Sequence, residues 1–272
     1  MSVKMIAVDL DNTLLDRQSL VTEHTVRAVR SAMEAGALFV LNSGRMPDSM
    51  ISFYRQLSAN APMICYNGAL TWDPRDGREI ASLALDADVA RAISRKAEKM
   101  GIYIQAFWGG SFYFPEHNEL NAAYSRKAKV YGNAIHKPVS ESIPQPVYKM
   151  LMLGENMAQY LDAFREEFAG RCSFVLSTPT YLECVSSQAG KGVALIRLGE
   201  TLGIAPEEIM AFGDEQNDLD MITRVKYGYA MANASEEVRS QAPFVAPAHD
   251  EDGVAQVLEQ ALRDGLIGGK PC

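Results

Sequence analysis

Near its start the chain reads Met5-Ile-Ala-Val-Asp9-Leu-Asp11-Asn-Thr13, four apolar residues followed at once by two carboxylates. An unbroken apolar run of this kind is typical of a strand buried on both faces of a parallel sheet. A second such run covers Leu38 to Leu41, and the residues between, from His24 to Ala35, have the spacing of an amphipathic helix. A third run, Met63 to Tyr66, follows another helical stretch. The opening third of the chain therefore predicts a β-α-β-α-β unit with parallel strands.

A similar alternation returns towards the end of the chain. Three further segments read as strands separated by helices: Glu208 to Phe212, Tyr227 to Met231 and Phe244 to Val245. The middle of the chain mixes helices and strands without this rhythm, so it reads as a second unit inserted into the first. We predict an α/β protein with a parallel-sheet core, residues 1–81 and 188–272, and an inserted α+β unit, residues 82–187.

Composition limits the class of partner. The chain has 272 residues, and its 26 Lys and Arg against 34 Asp and Glu give a net charge of -8. Such a charge repels polyanions, so we do not expect nucleic-acid binding. Its four cysteines are scattered and suggest neither a zinc site nor a disulfide framework, which favours a reducing cytoplasm. We expect no membrane segment, because no apolar run approaches the length of a bilayer crossing.

Polar residues stand at the predicted strand ends and helix starts. The segments are Asp9-Leu-Asp-Asn-Thr13, Asn42-Ser-Gly-Arg45, Lys191-Gly192 and Gly213-Asp-Glu-Gln-Asn-Asp218. In an open parallel sheet, ligands bind beyond the carboxyl ends of the strands. These four segments are therefore predicted to converge on one site.

Four carboxylates in that crevice would need a cation. They belong to Asp9, Asp11, Asp214 and Asp218. Two unpaired carboxylates about 4 Å apart repel by roughly 4 kcal/mol at an effective dielectric constant of 20. Oxygen ligands without imidazole or thiolate favour Mg²⁺, which also accepts a phosphate oxygen.

These residue types suit phosphoryl transfer through a covalent intermediate. Phosphate monoesters hydrolyse so slowly in water that dividing the reaction into two steps is favourable. Asp9 is the candidate nucleophile, and Asp11 is the candidate acid and base. Four groups could bind the phosphoryl oxygens or orient water: the Ser43 hydroxyl, the Gly44 amide, the Lys191 ammonium and the Asn217 amide. Asn67 and Gly68 either act at the substrate or at the hinge of the inserted unit, or simply turn the chain after the third strand.

The four segments resemble the ordered motifs of the haloacid dehalogenase superfamily. Tyr66-Asn-Gly-Ala69, Glu207-Glu-Ile-Met-Ala211 and the long insert further resemble its Cof-type sugar phosphatases. The resemblance implies a Rossmann-like core with a cap that sets substrate specificity. It also implies an aspartyl-phosphate on Asp9, with Mg²⁺ held by the Asp9 side chain, the Asp11 carbonyl and Asp214, and with Asp218 acting through water. Its substrate would be a small phosphorylated metabolite of the sugar phosphate class.

One position departs from the Cof pattern, and two functional alternatives stay open. Asn12 stands where the Cof group has glycine, but asparagine accepts left-handed backbone angles readily. A receiver-type phosphoacceptor would also use an aspartate, paired acids and a lysine, although it would not need the insert. A phosphomutase or phosphonate-cleaving relative would share the core. The sequence leaves open whether the protein is a monomer or a homodimer.

Overall fold

The protein, described here by a computed structural model over residues 2–144 and 146–269, forms two compact units. The first contains residues 2–44, 50–80 and 190–269, and the second contains residues 45–49 together with the described part of 81–189. The long segment of the second unit runs from residue 81 to residue 189. The predicted insert, residues 82–187, starts one residue later and ends two residues earlier. The roles of catalytic core and specificity cap stay predictions.

The strands and helices have the following bounds. The strands are β1 (Met5–Val8), β2 (Leu38–Leu41), β3 (Met63–Cys65), β4 (Leu70–Asp73), β5 (Arg78–Ser82), β6 (Tyr103–Trp108), β7 (Ser111–Phe114), β8 (Asn133–Ala134), β9 (Lys149–Leu153), β10 (Cys172–Thr178), β11 (Tyr181–Ser186), β12 (Ile209–Gly213), β13 (Tyr227–Met231) and β14 (Phe244–Ala246). The helices are α1 (Glu23–Glu34), α2 (Pro47–Leu57), α3 (Ala87–Lys99), α4 (Glu119–Ala128), α5 (Leu161–Glu167), α6 (Lys191–Leu202), α7 (Leu219–Thr223), α8 (Glu236–Arg239) and α9 (Gly253–Arg263). Of these, β4, β5, β8, α4 and α5 were not predicted from the sequence.

The main sheet of the first unit is parallel, as predicted, with the strand order β14-β13-β12-β1-β2. Val8 at the end of β1 lies opposite Leu41 on one side and Phe212 on the other. Because the three strands end level, the residues after them meet at one edge of the sheet. This register brings the polar segments together, and the predicted α/β fold class is confirmed.

The third predicted strand, β3, is followed by a chain reversal that was not expected. Its main partner is β4, antiparallel, with Met63 opposite Trp72, and it meets the parallel sheet at a bridge between Asn42 and Ile64. The reversal occurs in the turn Tyr66–Gly68, whose backbone adopts positive φ angles. The parallel bridge bears out the predicted direction of β3 relative to β2. The antiparallel strand β4 was not predicted, because the turn reverses the chain before any helix can form.

The first unit is held together by apolar side chains between the sheet and its helices. Leu195 and Leu198 of α6 belong to the same buried cluster as Met5 and Ala7 of β1. Leu195, Met5 and Ala7 have no exposed surface. Burying a side chain the size of Leu195 contributes about 2 kcal/mol, so α6, which begins at Lys191, is fixed firmly against the sheet.

Helices α1 and α9 are joined by a charged cluster at the surface of the first unit. Thr22 caps α1 by accepting a hydrogen bond from the amide of Thr25. His24 Nε2 lies 2.9 Å from Glu259 Oε1, and His24 Nδ1 lies 3.1 Å from Asp252 Oδ2. The hydrogen bond to Glu259, followed by the one to Asp252, raises the pKa of His24, while burial opposes the shift.

We expect this cluster to make stability depend on pH. A histidine whose pKa is higher in the folded state stabilises fully below the unfolded value of 6.5. That contribution is lost as pH rises through the folded pKa. Because His24 is partly exposed, the loss should be no more than about 1 kcal/mol. Urea denaturation of wild type and His24→Gln at pH 6 and pH 8 checks this, and an equal pH dependence in both proteins would contradict it.

The second unit has a sheet with the order β10-β11-β9-β6-β7-β8. One face packs against α3 and α5 through a buried cluster that includes Ile93, Ile104 and Phe164. On the opposite face, Lys149 Nζ of β9 lies 3.3 Å from Glu183 Oε2 of β11. This ion pair therefore joins two neighbouring strands of the sheet.

Two further features concern the predicted compartment. Within the described residues, no helix combines the length and apolar character needed to cross a membrane. Cys65, Cys172 and Cys184 are buried free thiols, whereas Cys272 lies outside the described residues. A cytoplasmic location stays a prediction.

Candidate active site

The polar segments meet at the carboxyl edge of the parallel sheet. Asp9 follows β1, Asn42 follows β2, and Asp214 follows β12. Asp9 and Asp214 are buried, with only 6% and 4% of their surface exposed. The register of the three strands places their last residues side by side. The residues that follow the strands therefore start close together at this edge of the sheet.

Lys191 connects two of the carboxylates. Its Nζ donates to Asp9 Oδ1 at 2.7 Å and to Asp218 Oδ1 at 2.6 Å. Burial alone would lower the pKa of this lysine, but the charges of Asp218 and Asp9 outweigh burial and raise it. The ammonium is therefore held protonated, and one positive charge is shared by two acids.

The remaining negative charge is under-compensated. Desolvation is the largest cause that raises the pKa of Asp9 to about 7; Lys191 opposes the shift, and the charges of Asp218 and Asp11 add to it. Burial, followed by the charges of Asp9 and Asp218, raises the pKa of Asp214 to about 8. Thr13 moderates this effect, since its hydroxyl donates to Asp214 Oδ1 at 2.9 Å.

This donor set fits a hard divalent cation. One carboxylate oxygen from each of Asp9, Asp214 and Asp218 lies within 4.8 Å of the others. The donors are oxygens, and a cation among them would offset the repulsion that raises the two pKa values. The residues present therefore fit the metal that the motifs predict.

Asp218 also organises the loop that carries Asp214. Its Oδ2 accepts from the amides of Asp214 and Glu215, both at 3.1 Å, while its Oδ1 accepts from Lys191. A Cβ placed on Gly213 would lie 2.3 Å from the Cβ of Asp218, so only glycine fits there. With these three bonds already made, Asp218 suits the predicted indirect role better than direct coordination.

Asp11 lies on the loop after β1, close enough for its charge to raise the pKa of Asp9. It is exposed, unlike Asp9, so it can exchange a proton with water. Asn12 has the left-handed φ of 53° that its residue type led us to expect. Its carbonyl accepts from Asn233 Nδ2 at 2.9 Å, which fixes the loop against the segment after β13.

The other predicted phosphate ligands form a second group in the same unit. Asn67 donates its backbone amide to the Ser43 carbonyl at 3.1 Å and accepts from Asn217 Nδ2 at 3.0 Å. Asn217 directly precedes Asp218, and Gly68 packs against the Gly190 carbonyl, immediately before Lys191. The group around Asn67 is therefore connected to the carboxylate and lysine group by direct sequence neighbours.

Comparison with known proteins identifies the fold and the chemistry. The sequence profile of the haloacid dehalogenase-like hydrolases matches residues 6–258. The chain belongs to this family. The crystal structure of a haloacid dehalogenase-like hydrolase from Bacteroides thetaiotaomicron superposes with a TM-score of 0.86 at 26% identity, covering 95% of this chain and 99% of that one.

Two similar proteins from one bacterium are named as phosphatases. Phosphatase YwpJ of Bacillus subtilis is 30% identical over 287 residues, which cover 96% of this chain and 100% of YwpJ. The 5-amino-6-(5-phospho-D-ribitylamino)uracil phosphatase YwtE of the same organism is 27% identical, covering 96% and 98%. The chain is therefore a phosphatase of the haloacid dehalogenase superfamily.

Three residues of the phosphatase that support the site had no predicted role. Thr13 bonds Asp214, and Asn42 Nδ2 donates to the Lys191 carbonyl at 3.0 Å. Asp220 Oδ2 accepts from the amides of Gly192 and Val193 at 3.0 and 3.3 Å, so it caps α6. Each stands in or beside a motif that the sequence singles out, but only long-range contacts reveal its partner.

We expect Asp220→Ala to weaken both stability and turnover. The variant exposes amides at the start of α6, and losing such a cap costs about 1 kcal/mol. Because Lys191 is the first residue of that helix, its ammonium should shift and kcat should fall about tenfold. Thr22→Ala is the matched control, since it removes the cap of α1 and should lower stability similarly without changing kcat. Equal kcat in both variants would exclude a link between Asp220 and Lys191.

Proposed function

We propose that the phosphatase is Mg²⁺-dependent and hydrolyses a small phosphorylated metabolite through an aspartyl-phosphate on Asp9. The arrangement of Asp9 carries this proposal: a buried carboxylate bonded to Lys191 and grouped with Asp214 and Asp218. Oδ1 of Asp9 accepts from Lys191, so we assign the attack on phosphorus to Oδ2. A lysine there opposes the rise in the pKa of the nucleophile and attracts the phosphoryl group.

In the first step, Asp9 Oδ2 forms a bond to phosphorus while the bond from phosphorus to the substrate oxygen breaks. Asp11, as the carboxylic acid, gives its proton to the departing alkoxide. In the second step, water attacks the phosphorus and the carboxylate of Asp11 takes the proton. The bond between Asp9 and phosphorus breaks, which restores the carboxylate and releases inorganic phosphate.

The phosphoryl oxygens need donors throughout both steps. We assign this to the Ser43 hydroxyl, the Gly44 amide and the Lys191 ammonium, which all lie in the first unit. Mg²⁺, held by the Asp9 and Asp214 side chains and the Asp11 carbonyl, with Asp218 acting through water, would supply positive charge to the carboxylates and phosphoryl oxygens. In this proposal the second unit is the cap that selects the substrate.

The substrate class that we propose is a phosphorylated sugar or sugar alcohol. The motif resemblance to Cof-type sugar phosphatases supports it. A further support is YwtE, whose named substrate carries a phosphorylated ribityl chain. We also propose that the protein acts in the cytoplasm, as a monomer or a homodimer.

A panel of phosphorylated metabolites tests the proposal. The panel should include sugar phosphates, sugar-alcohol phosphates, nucleotides and p-nitrophenyl phosphate, each with Mg²⁺ and each with excess chelator. We expect inorganic phosphate to be released many times per enzyme, fastest from the sugar and sugar-alcohol esters, and only with the metal. An isomerised sugar phosphate with little free phosphate would identify a mutase. A single, stable phosphorylation of the protein would identify a phosphoacceptor.

A further inference from the structure

The turn Tyr66–Gly68 has an unusual backbone. Three consecutive residues have positive φ: 53° at Tyr66, 55° at Asn67 and 88° at Gly68. A bulky tyrosine adopts this conformation rarely and under strain, whereas asparagine tolerates it better. Gly68 has no alternative, because a Cβ there would lie 2.2 Å from the Gly190 carbonyl oxygen.

The strained turn places the Asn67 side chain between two parts of the site. Its Oδ1 accepts from Asn217 Nδ2 at 3.0 Å. The same side chain lies beside the loop after β2: a Cβ built on Gly44 would lie 2.8 Å from Asn67 Oδ1 and 3.1 Å from Nδ2. The backbone of Asn67 also holds that loop, through the bond to the Ser43 carbonyl.

We propose that Asn67 is a positioning residue, which fixes Gly44 and Asn217 relative to each other and does not itself bind the substrate. This inference rests on the proposed function, since Ser43, Gly44 and Asn217 are assigned there or from the motifs to the phosphoryl group and its water. The carbonyl oxygen of Asn67 is used by Asn217. The hydrogen bond that Asn217 Nδ2 donates sets the orientation of the Asn217 side-chain amide. The Oδ1 of Asn217 is therefore turned away from Asn67.

The same contact explains why residue 44 is glycine. A methyl group there would collide with the Asn67 amide, so either the phosphate-binding loop or Asn67 would have to move. Displacements of about 1 Å in a catalytic site can cost as much as about 100-fold in rate. The inference therefore predicts that the harm done by a side chain at position 44 depends on the side chain at position 67.

A double-mutant cycle tests this dependence. Asn67→Gly keeps the left-handed backbone and removes the amide, and it should lower kcat by about tenfold or more for every substrate with little change in KM. Gly44→Ala should lower kcat similarly. In the Asn67→Gly background, Gly44→Ala should cost less than about twofold further, because the clashing atoms are gone.

Three results would overturn the inference. The first is a double variant whose loss is the product of the two single losses. The second is a wild-type kcat in Asn67→Gly. The third is a rise in KM for one substrate alone, which would make Asn67 a substrate ligand. Should Gly44→Ala fail to fold, the cycle of Asn67→Gly with Asn217→Ala replaces it, and the same non-additive loss is expected.

The proposed function can fail separately. If wild type releases no phosphate from any substrate of the panel, the assignment of the reaction is wrong. Isothermal titration with orthovanadate and Mg²⁺ still tests the positioning role in that case, because vanadate can take the five-coordinate geometry of the phosphoryl-transfer transition state. Wild type should bind vanadate about tenfold more tightly than Asn67→Gly, and equal binding would contradict the role of Asn67.

Discussion

Asp9→Asn should abolish turnover while leaving the fold intact. The amide has the shape of the carboxylate but is a poor nucleophile, so the covalent step has no other group to perform it. We expect kcat to fall by at least about 10⁴-fold, as for other residues that form a covalent intermediate. Release of inorganic phosphate from the best substrate of the panel measures this.

The Asp9→Asn variant should keep the stability of the wild type although it loses activity. The buried Asp9 carboxylate is repelled by Asp218 and Asp11, and its burial is unfavourable, so a neutral amide removes both penalties. Lys191 stays paired with Asp218 in this variant, and the amide oxygen can still accept a hydrogen bond from its ammonium. Asp76→Asn is the matched control, because Asp76 is a partly exposed acid in a surface turn and its replacement should leave kcat unchanged. Wild-type turnover in Asp9→Asn, with contaminating enzyme excluded, would overturn the mechanism.

Lys191→Met should lower both stability and turnover strongly. Lys191 is buried and bonds two buried carboxylates, so its removal leaves Asp9 and Asp218 without their counter-charge. Breaking such a buried pair by removing one partner costs about 3–5 kcal/mol. Turnover should fall by about 10²–10³-fold, since a charge that stabilises the phosphoryl group is also lost.

Urea denaturation and kcat measure these two effects. Lys4→Met is the matched control in the same unit: its Nζ lies 2.7 Å from Glu208 Oε1, but the lysine side chain is 52% exposed. An exposed pair contributes less than about 1 kcal/mol, so the control should be close to wild type in both measurements. Similar losses of stability and kcat in the two variants would mean that the effect of Lys191 does not depend on its burial.

Much of the fold followed from local sequence patterns. The apolar runs of β1, β2 and β12 and the amphipathic spacing of α1 predicted a parallel α/β core. The β4 and β5 strands were missed because the reversal depends on the turn Tyr66–Gly68, which lies in backbone regions that local propensity disfavours. Helix α4 was missed because its apolar face is weak.

The sequence by itself determined the chemistry: an acid pair after the first buried strand, a lysine and a second acidic segment, each at a strand end or helix start. Short motifs carry this information because residue type and spacing within one loop are local properties. The tertiary structure alone decided the partnerships, namely Lys191 with Asp9, Asp220 with α6, and Asn67 with Asn217. These contacts join residues 182, 28 and 150 positions apart. Their geometry depends on how the strands register and the helices pack, which no local pattern specifies.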